Sequence, residues 1–199
     1  MIIRQNTLEW KGTLKARTST EFLIFHHAEA TKCTLEDIHS WHKIRGWVGV
    51  GYNFFIRKDG IVYEGRPIWA SDADAFGYND NSLSCCFEGN FEIETMTLEQ
   101  VKSGIELARY CRNLYPKIRL CRHKDVNDTA CPGKNFNDSI IIEGSKDMAQ
   151  PVADYVVAVD TLNKAGILGN KELWTQYAVK DANIKALILN VSKYINSHK

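Results

Sequence analysis

The sequence predicts an α/β (α+β) fold in which a mixed central β-sheet is flanked by helices and followed by a small C-terminal helical bundle. Three observations predict it. Short apolar β-favouring runs alternate with two long segments of helical periodicity over the first 143 residues. A polar, turn-prone stretch, EGSKDMAQP, follows at 143 to 151. Beyond it, VADYVVAVDTLNKAGIL, KELWTQYA and NIKALILNVSKYI all have helical periodicity. The expected division is therefore a domain over 1–143, a linker over 144–150 and a helical domain over 151–199.

Taken in order, FLIFHH (22–27) is a strand by its apolar, β-favouring composition, and TLED follows it with Thr34 as helix cap and Asp37 as the reciprocal acceptor. The helix runs through IHSWHKIRG and stops near Gly46. YNFFIRKDGIVYEGR holds two β-rich runs around Lys58-Asp59-Gly60, a hairpin signal. NSLSCCFEGNF supplies a buried strand. TLEQ (97–100) repeats the capping pattern ahead of VKSGIELARYCRNLY, a helix that ends before Pro116, and IRLC is a short strand after it.

Composition bounds the function. With 44% hydrophobic and 25% charged residues the chain has enough apolar side chains for a substantial core. Its 25 basic and 24 acidic side chains give a net charge of +1, no basis for a nucleic-acid surface. No segment has the ~20 apolar residues of a membrane span, and MIIRQNTLEWKG lacks the apolar run of a signal peptide. Synthesis and retention in the cytoplasm is the expectation, with release through a pore made by another protein or by lysis. Six cysteines without a C-x-x-C pair are too sparse for a disulfide scaffold and read as reduced side chains, Cys131 apart.

Cys131 belongs to HKDVNDTACPGKNF (123–136), where Asn127, Asp128, Pro132 and Gly133 exclude a regular helix or strand between His123 and the cysteine. A loop must bring the two together or leave them unrelated. Zinc takes nitrogen and sulfur ligands tetrahedrally, and a catalytic site uses three, keeping one position open. His123 and Cys131 supply two. His26 or His27, at the end of the first strand, supplies a third. His39 and His42, spaced i, i+3 without the glutamate of an H-E-x-x-H motif, read as packing and surface residues, and His198 sits in the tail.

The ordered segments FLIFHHAEAT, WHKIRGWVGVGYNFFIRKDGIVYEGRP, GYNDNSLSCCFEGNF and HKDVNDTACPGKNF resemble the zinc-dependent N-acetylmuramoyl-L-alanine amidases of the bacteriophage lysozyme and peptidoglycan recognition protein superfamily, over about residues 20 to 140. The variety encoded by phages and prophages of Gram-positive bacteria is the one most resembled. The resemblance implies Zn2+ held by His26, His123 and Cys131, and hydrolysis of the amide between N-acetylmuramic acid and L-alanine by zinc-activated water. It places the family's tyrosine at Tyr52 and the polar residue two before the cysteine at Thr129, both as oxyanion-stabilising candidates. Candidate peptidoglycan contacts are His27, Asn53, Asp74 and Trp69. Two of these depart from the family pattern: Asn53 stands where a histidine is common, and Ser71-Asp72-Ala73-Asp74 replaces a G-A-H-like segment, so Asp74 reverses the local charge.

Trp41, Trp47 and Trp69 are candidates for stacking on sugar rings or for the core, and Glu88 reads as a structural carboxylate rather than a base. The alternative functions are a peptidoglycan-binding module that has lost catalysis and a hydrolase using Cys131 as nucleophile with His123. Retention of all three ligand positions favours the metalloenzyme. The C-terminal helices resemble tails that follow similar phage amidase domains and are candidates for wall binding or self-association.

Overall fold

A computed structural model of the protein describes residues 2–146 and isolated positions between 158 and 195. The elements are β1 (Ile3–Arg4), β2 (Phe22–His27), α1 (Leu35–Ile44), β3 (Phe54–Ile56), β4 (Val62–Glu64), β5 (Ser82–Phe87), α2 (Leu98–Leu114), β6 (Arg119–Arg122), a 3-10 turn at His123–Asp125 and α3 (Asp138–Gly144). Six strands form one sheet in the order β1-β4-β3-β5-β2-β6. Only β3 and β4 pair antiparallel; the other neighbours are parallel. The mixed α/β sheet expected from the sequence is the observed fold.

Local chemistry accounts for the element boundaries. Thr34 Oγ1 accepts from Asp37 N while the Asp37 carboxylate accepts from Thr34 N, closing the capping box of α1. Thr97 and Gln100 do the same for α2. The β3–β4 turn closes through Arg57 N to Ile61 O at 3.0 Å, with Gly60 at φ +81° where a side chain would be strained. β2 and β5 lie inside the sheet and are buried along almost their whole length, which explains their near-continuous apolar runs.

Alternation along β2 sorts its two histidines. Neighbouring strand residues face opposite sides of a sheet. Phe25 and His27 face the side where Phe25 meets Phe136 (5.8 Å between ring centres) and His27 stacks on Phe91 (6.1 Å). His26, in register with Cys86, faces the side covered by α1, where Leu35 and Ile38 pack with Phe55 and Cys86.

The chain divides into two compact units, Met1–Asp138 and Ser139–Lys199. In the second, the described residues are 139–146, which include most of α3, and isolated positions such as Ala158, Leu162, Trp174 and Ile188 in helical backbone. The expected bundle over 151–199 and most of the linker over 144–150 lie outside the described residues. No helix among the described residues is long and apolar enough to cross a membrane.

Candidate metal centre and active site

Three separate pieces of chain deliver the centre. His26 comes from the carboxyl end of β2, and His123 opens the 3-10 turn directly after β6, the parallel neighbour of β2. Cys131 is returned to it by the loop: Lys124 N donates to Cys131 O at 2.9 Å, and Asn127 N to His123 O at 3.0 Å. Gly133, at φ +98°, lets the chain pass Phe91, whose carbonyl carbon would lie 2.5 Å from any Cβ at that position. One ligand atom from each of His26, His123 and Cys131 lies within 4.8 Å of the others. Cys131 Sγ is 3.8 Å from His26 Nδ1, and the two imidazole rings are 4.5 Å apart. Sequence spacing left His26 and His27 open as the third ligand; the geometry brings His26 to the group.

Electrostatics suit a metal ligand set. Burial opposes ionisation of the Cys131 thiol, but the His123 and His26 nitrogens beside it outweigh that and bring it down to about 7. Burial also opposes charge on His26, yet Asp74 and Cys131 raise it to about 10. Asp74 Oδ1 lies 3.2 Å from His26 Nε2, with the two side chains 2% and 1% exposed. Two imidazoles and a thiol that ionises near neutrality form a donor set that fits zinc.

The centre opens on a cavity of about 250 Å³ whose lining includes His26, His42, Tyr52, His123, Thr129 and Cys131. The Tyr52 ring is 5.1 Å from His26 and 5.6 Å from His42. Burial, followed by the surrounding thiols and Asp74, holds its hydroxyl well above the usual phenol range, so it stays a neutral donor. Thr129 Oγ1 accepts from Cys131 N at 3.2 Å, which leaves its own hydrogen free for the cavity. Trp41 and Trp47, 40% and 37% exposed, also line the cavity.

Of the four expected substrate contacts, His27 and Asp74 line the cavity, whereas Asn53 and Trp69 do not. Asn53 is fully buried and ties strands together: Oδ1 accepts from Ser84 N at 3.1 Å and Nδ2 donates to Ala70 O at 3.2 Å. Strand pairing consumes the amide a substrate would need. Trp69 lines neither this cavity nor the adjoining hollow and is 55% exposed elsewhere. His27 reaches the cavity lining, but its Nδ1 accepts from Phe91 N at 3.1 Å and its ring is buried against Phe91. Asp74, the fourth candidate, lines the cavity with its Oδ1 3.2 Å from His26 Nε2. Glu88 accepts from Cys33 N and Lys58 N and is structural.

His42 is the cavity residue that sequence reading missed. Its Nδ1 accepts from Gly51 N at 2.9 Å, so the neutral ring carries its hydrogen on Nε2. Burial, with Arg45 adding to it, lowers its pKa to about 4 and keeps the ring neutral. The i, i+3 spacing of His39 and His42 hinted at a shared face, but the backbone they hold lies after the helix and has no signature in that spacing.

An open mixed sheet gathers two imidazoles and a thiol that could hold a metal ion at the carboxyl end of an inner strand, beside a neutral tyrosine and an accessible cavity, an arrangement suited to hydrolysis. The chain belongs to the N-acetylmuramoyl-L-alanine amidase family (Amidase_2), whose model matches residues 16–134. An endolysin of Enterobacteria phage T3 is 37% identical over 131 residues, 61% of this chain and 86% of the phage protein. The solved endolysin amidase LysCS from Clostridium intestinale is 40% identical with a TM-score of 0.69, covering 70% of this chain and 92% of its own. A Drosophila PGRP-LB mutant in complex with tracheal cytotoxin is 25% identical with a TM-score of 0.60, covering 64% of this chain and 84% of its own.

Proposed function

We propose that the protein is a peptidoglycan hydrolase of the phage or prophage endolysin or autolysin type, cutting the amide between N-acetylmuramic acid and the L-alanine of the stem peptide with Zn2+ at His26, His123 and Cys131. The observation that carries this reading is the convergence of three donor atoms within 4.8 Å at the wall of an open cavity. Family membership supports the choice of bond, and the endolysin and amidase names of its relatives support the choice of wall polymer. Bound there, zinc supplies Lewis acidity toward the scissile carbonyl and lowers the pKa of a water toward ~7.

The chain's own residues do the rest. Tyr52 directs a neutral O–H toward the cavity, where negative charge develops on the amide oxygen, and Thr129 offers a second hydroxyl from the rim. His42 contributes an Nε2–H donor from beside Tyr52. Trp41 and Trp47 present flat apolar faces of the kind that pack on pyranose rings. Release of the protein from the producing cell by a pore or by lysis brings it to its substrate.

Digestion of purified peptidoglycan tests the reading. New L-alanine amino groups, lost on chelation and restored by zinc, are expected. Binding of wall fragments without new amino groups would replace it with the non-catalytic module, and new reducing sugar ends would show that another bond is cut.

A further inference from the structure

The segment from Asp72 to Asn79 meets His26 of the candidate metal centre directly and reaches His123 through Asn127. At its start, Asp74 faces His26: Oδ1 and Nε2 are 3.2 Å apart, with both side chains almost fully buried. Neither Asp74 oxygen nor His26 Nε2 has a hydrogen bond among the described residues, so this ion pair is the polar contact that each retains. A carboxylate buried this way is costly unless positive charge is close by. In the middle of the segment, Phe76 O accepts from Asn127 Nδ2 at 3.1 Å, while Asn127 Oδ1 lies 3.2 Å from His123 Nε2.

The segment is itself held in place. Asn79 Oδ1 accepts from both Asp74 N and Ala75 N at 3.0 Å. Ala73 N donates to Gly51 O at 3.0 Å, and Ala73 O would lie 2.5 Å from a Cβ at position 51, so only glycine fits this approach. Ser82 Oγ donates to Asp72 Oδ2 at 2.7 Å, anchoring the segment to β5.

We propose that this segment braces the metal centre, with Asp74 and Asn127 as positioning residues for His26 and His123. The proposal rests on the metal reading given above and adds residues to it. An imidazole that binds a metal gives up one nitrogen and keeps its hydrogen on the other, and an outer carboxylate or amide oxygen fixes which is which. Asp74 Oδ1, 3.2 Å from Nε2, favours the His26 hydrogen on that nitrogen and leaves Nδ1, 3.8 Å from Cys131 Sγ, as the ligand atom. Asn127 does the same at Nε2 of His123. Asp74 thus acts on the metal centre from within the cavity lining.

Zinc affinity of the metal-free chain, read by competition with a chromophoric chelator, tests the brace in wild type, Asp74→Asn and Asn127→Ala, with circular dichroism as the control for fold. Asp74→Asn keeps the volume and removes the charge. Zinc binding is expected to weaken about 10- to 100-fold in Asp74→Asn and by a smaller factor in Asn127→Ala. Once zinc is saturating, KM for peptidoglycan should stay within about twofold in both, because each side chain acts through a metal-binding histidine rather than on the substrate. Folded variants that bind zinc as tightly as wild type would overturn the brace and leave the three ligands standing. A raised KM with unchanged zinc affinity would also overturn it, making Asp74 a substrate contact. Failure of the wild type to bind zinc would remove the metal reading, and this proposal with it. Should Asp74→Asn not fold, Asn127→Ala decides the same question from the other end of the segment.

Discussion

Two pairs of histidines, His39 with His42 and His26 with His123, flank Tyr52, and they do opposite work. His39 and His42 give their Nδ1 atoms to backbone: Val50 N at 3.2 Å and Gly51 N at 2.9 Å, while His39 Nε2 donates to Glu9 O at 2.9 Å. That pair holds the chain that carries Tyr52 to the cavity. His26 and His123 have side-chain neighbours instead: Cys131, Asp74 and Asn127. A histidine becomes a ligand when one nitrogen is fixed by a side chain and the other is left facing further donors. Burial alone does not separate the pairs, since His26, His39 and His42 are all 5% exposed or less.

Substitution breaks the comparison most sharply at the ligands. Replacing His26, His123 or Cys131 by alanine should abolish zinc binding and cut amide hydrolysis by roughly 10³-fold or more, measured as amino groups released from peptidoglycan. Next in size, Tyr52→Phe should keep the metal and KM but lower kcat by about 100-fold, the scale of removing one oxyanion donor.

The backbone-holding pair should answer to stability measurements instead. His42 has a folded pKa of about 4 against an ordinary 6.5. Below pH 6.5 the unfolded chain takes up a proton that the folded chain refuses, so stability falls as pH drops toward 4 and is complete above 6.5. Between pH 7 and 4.5 this amounts to about 2 kcal/mol, and His42→Gln should flatten that part of a urea-unfolding series. His39→Ala leaves the buried Val50 N–H without its acceptor and Glu9 C=O with only Lys43 Nζ, which should cost about 1–2 kcal/mol of stability with zinc affinity unchanged.

What the sequence made legible was local. Thr34 with Asp37 and Thr97 with Gln100 mark helix starts because the capping groups are three residues apart, and Asp59-Gly60 marks its hairpin for the same reason. β1, two residues at Ile3–Arg4, has too little pattern to be read and forms only by pairing with β4, some sixty residues away. The turn at His123–Asp125 and the helix at Asp138–Gly144 were likewise unmarked. In the site, His123 and Cys131 stood out through their turn-rich spacing, whereas the choice of His26 over His27 depended on the face each takes in the sheet. Asn53 was not placed by its sequence for a related reason: whether its amide is available depends on partners such as Ser84 and Ala70, neither of them close in sequence.

The central claim is that two imidazoles and one thiolate grip a single divalent ion. Titration of the metal-free protein with Co2+, followed by the thiolate-to-cobalt charge-transfer absorption, tests it without any substrate. The band should grow to saturation at one equivalent, and it should be missing in Cys131→Ser. A wild-type protein that develops no such band, or a Cys131→Ser variant that develops the full band, would contradict it.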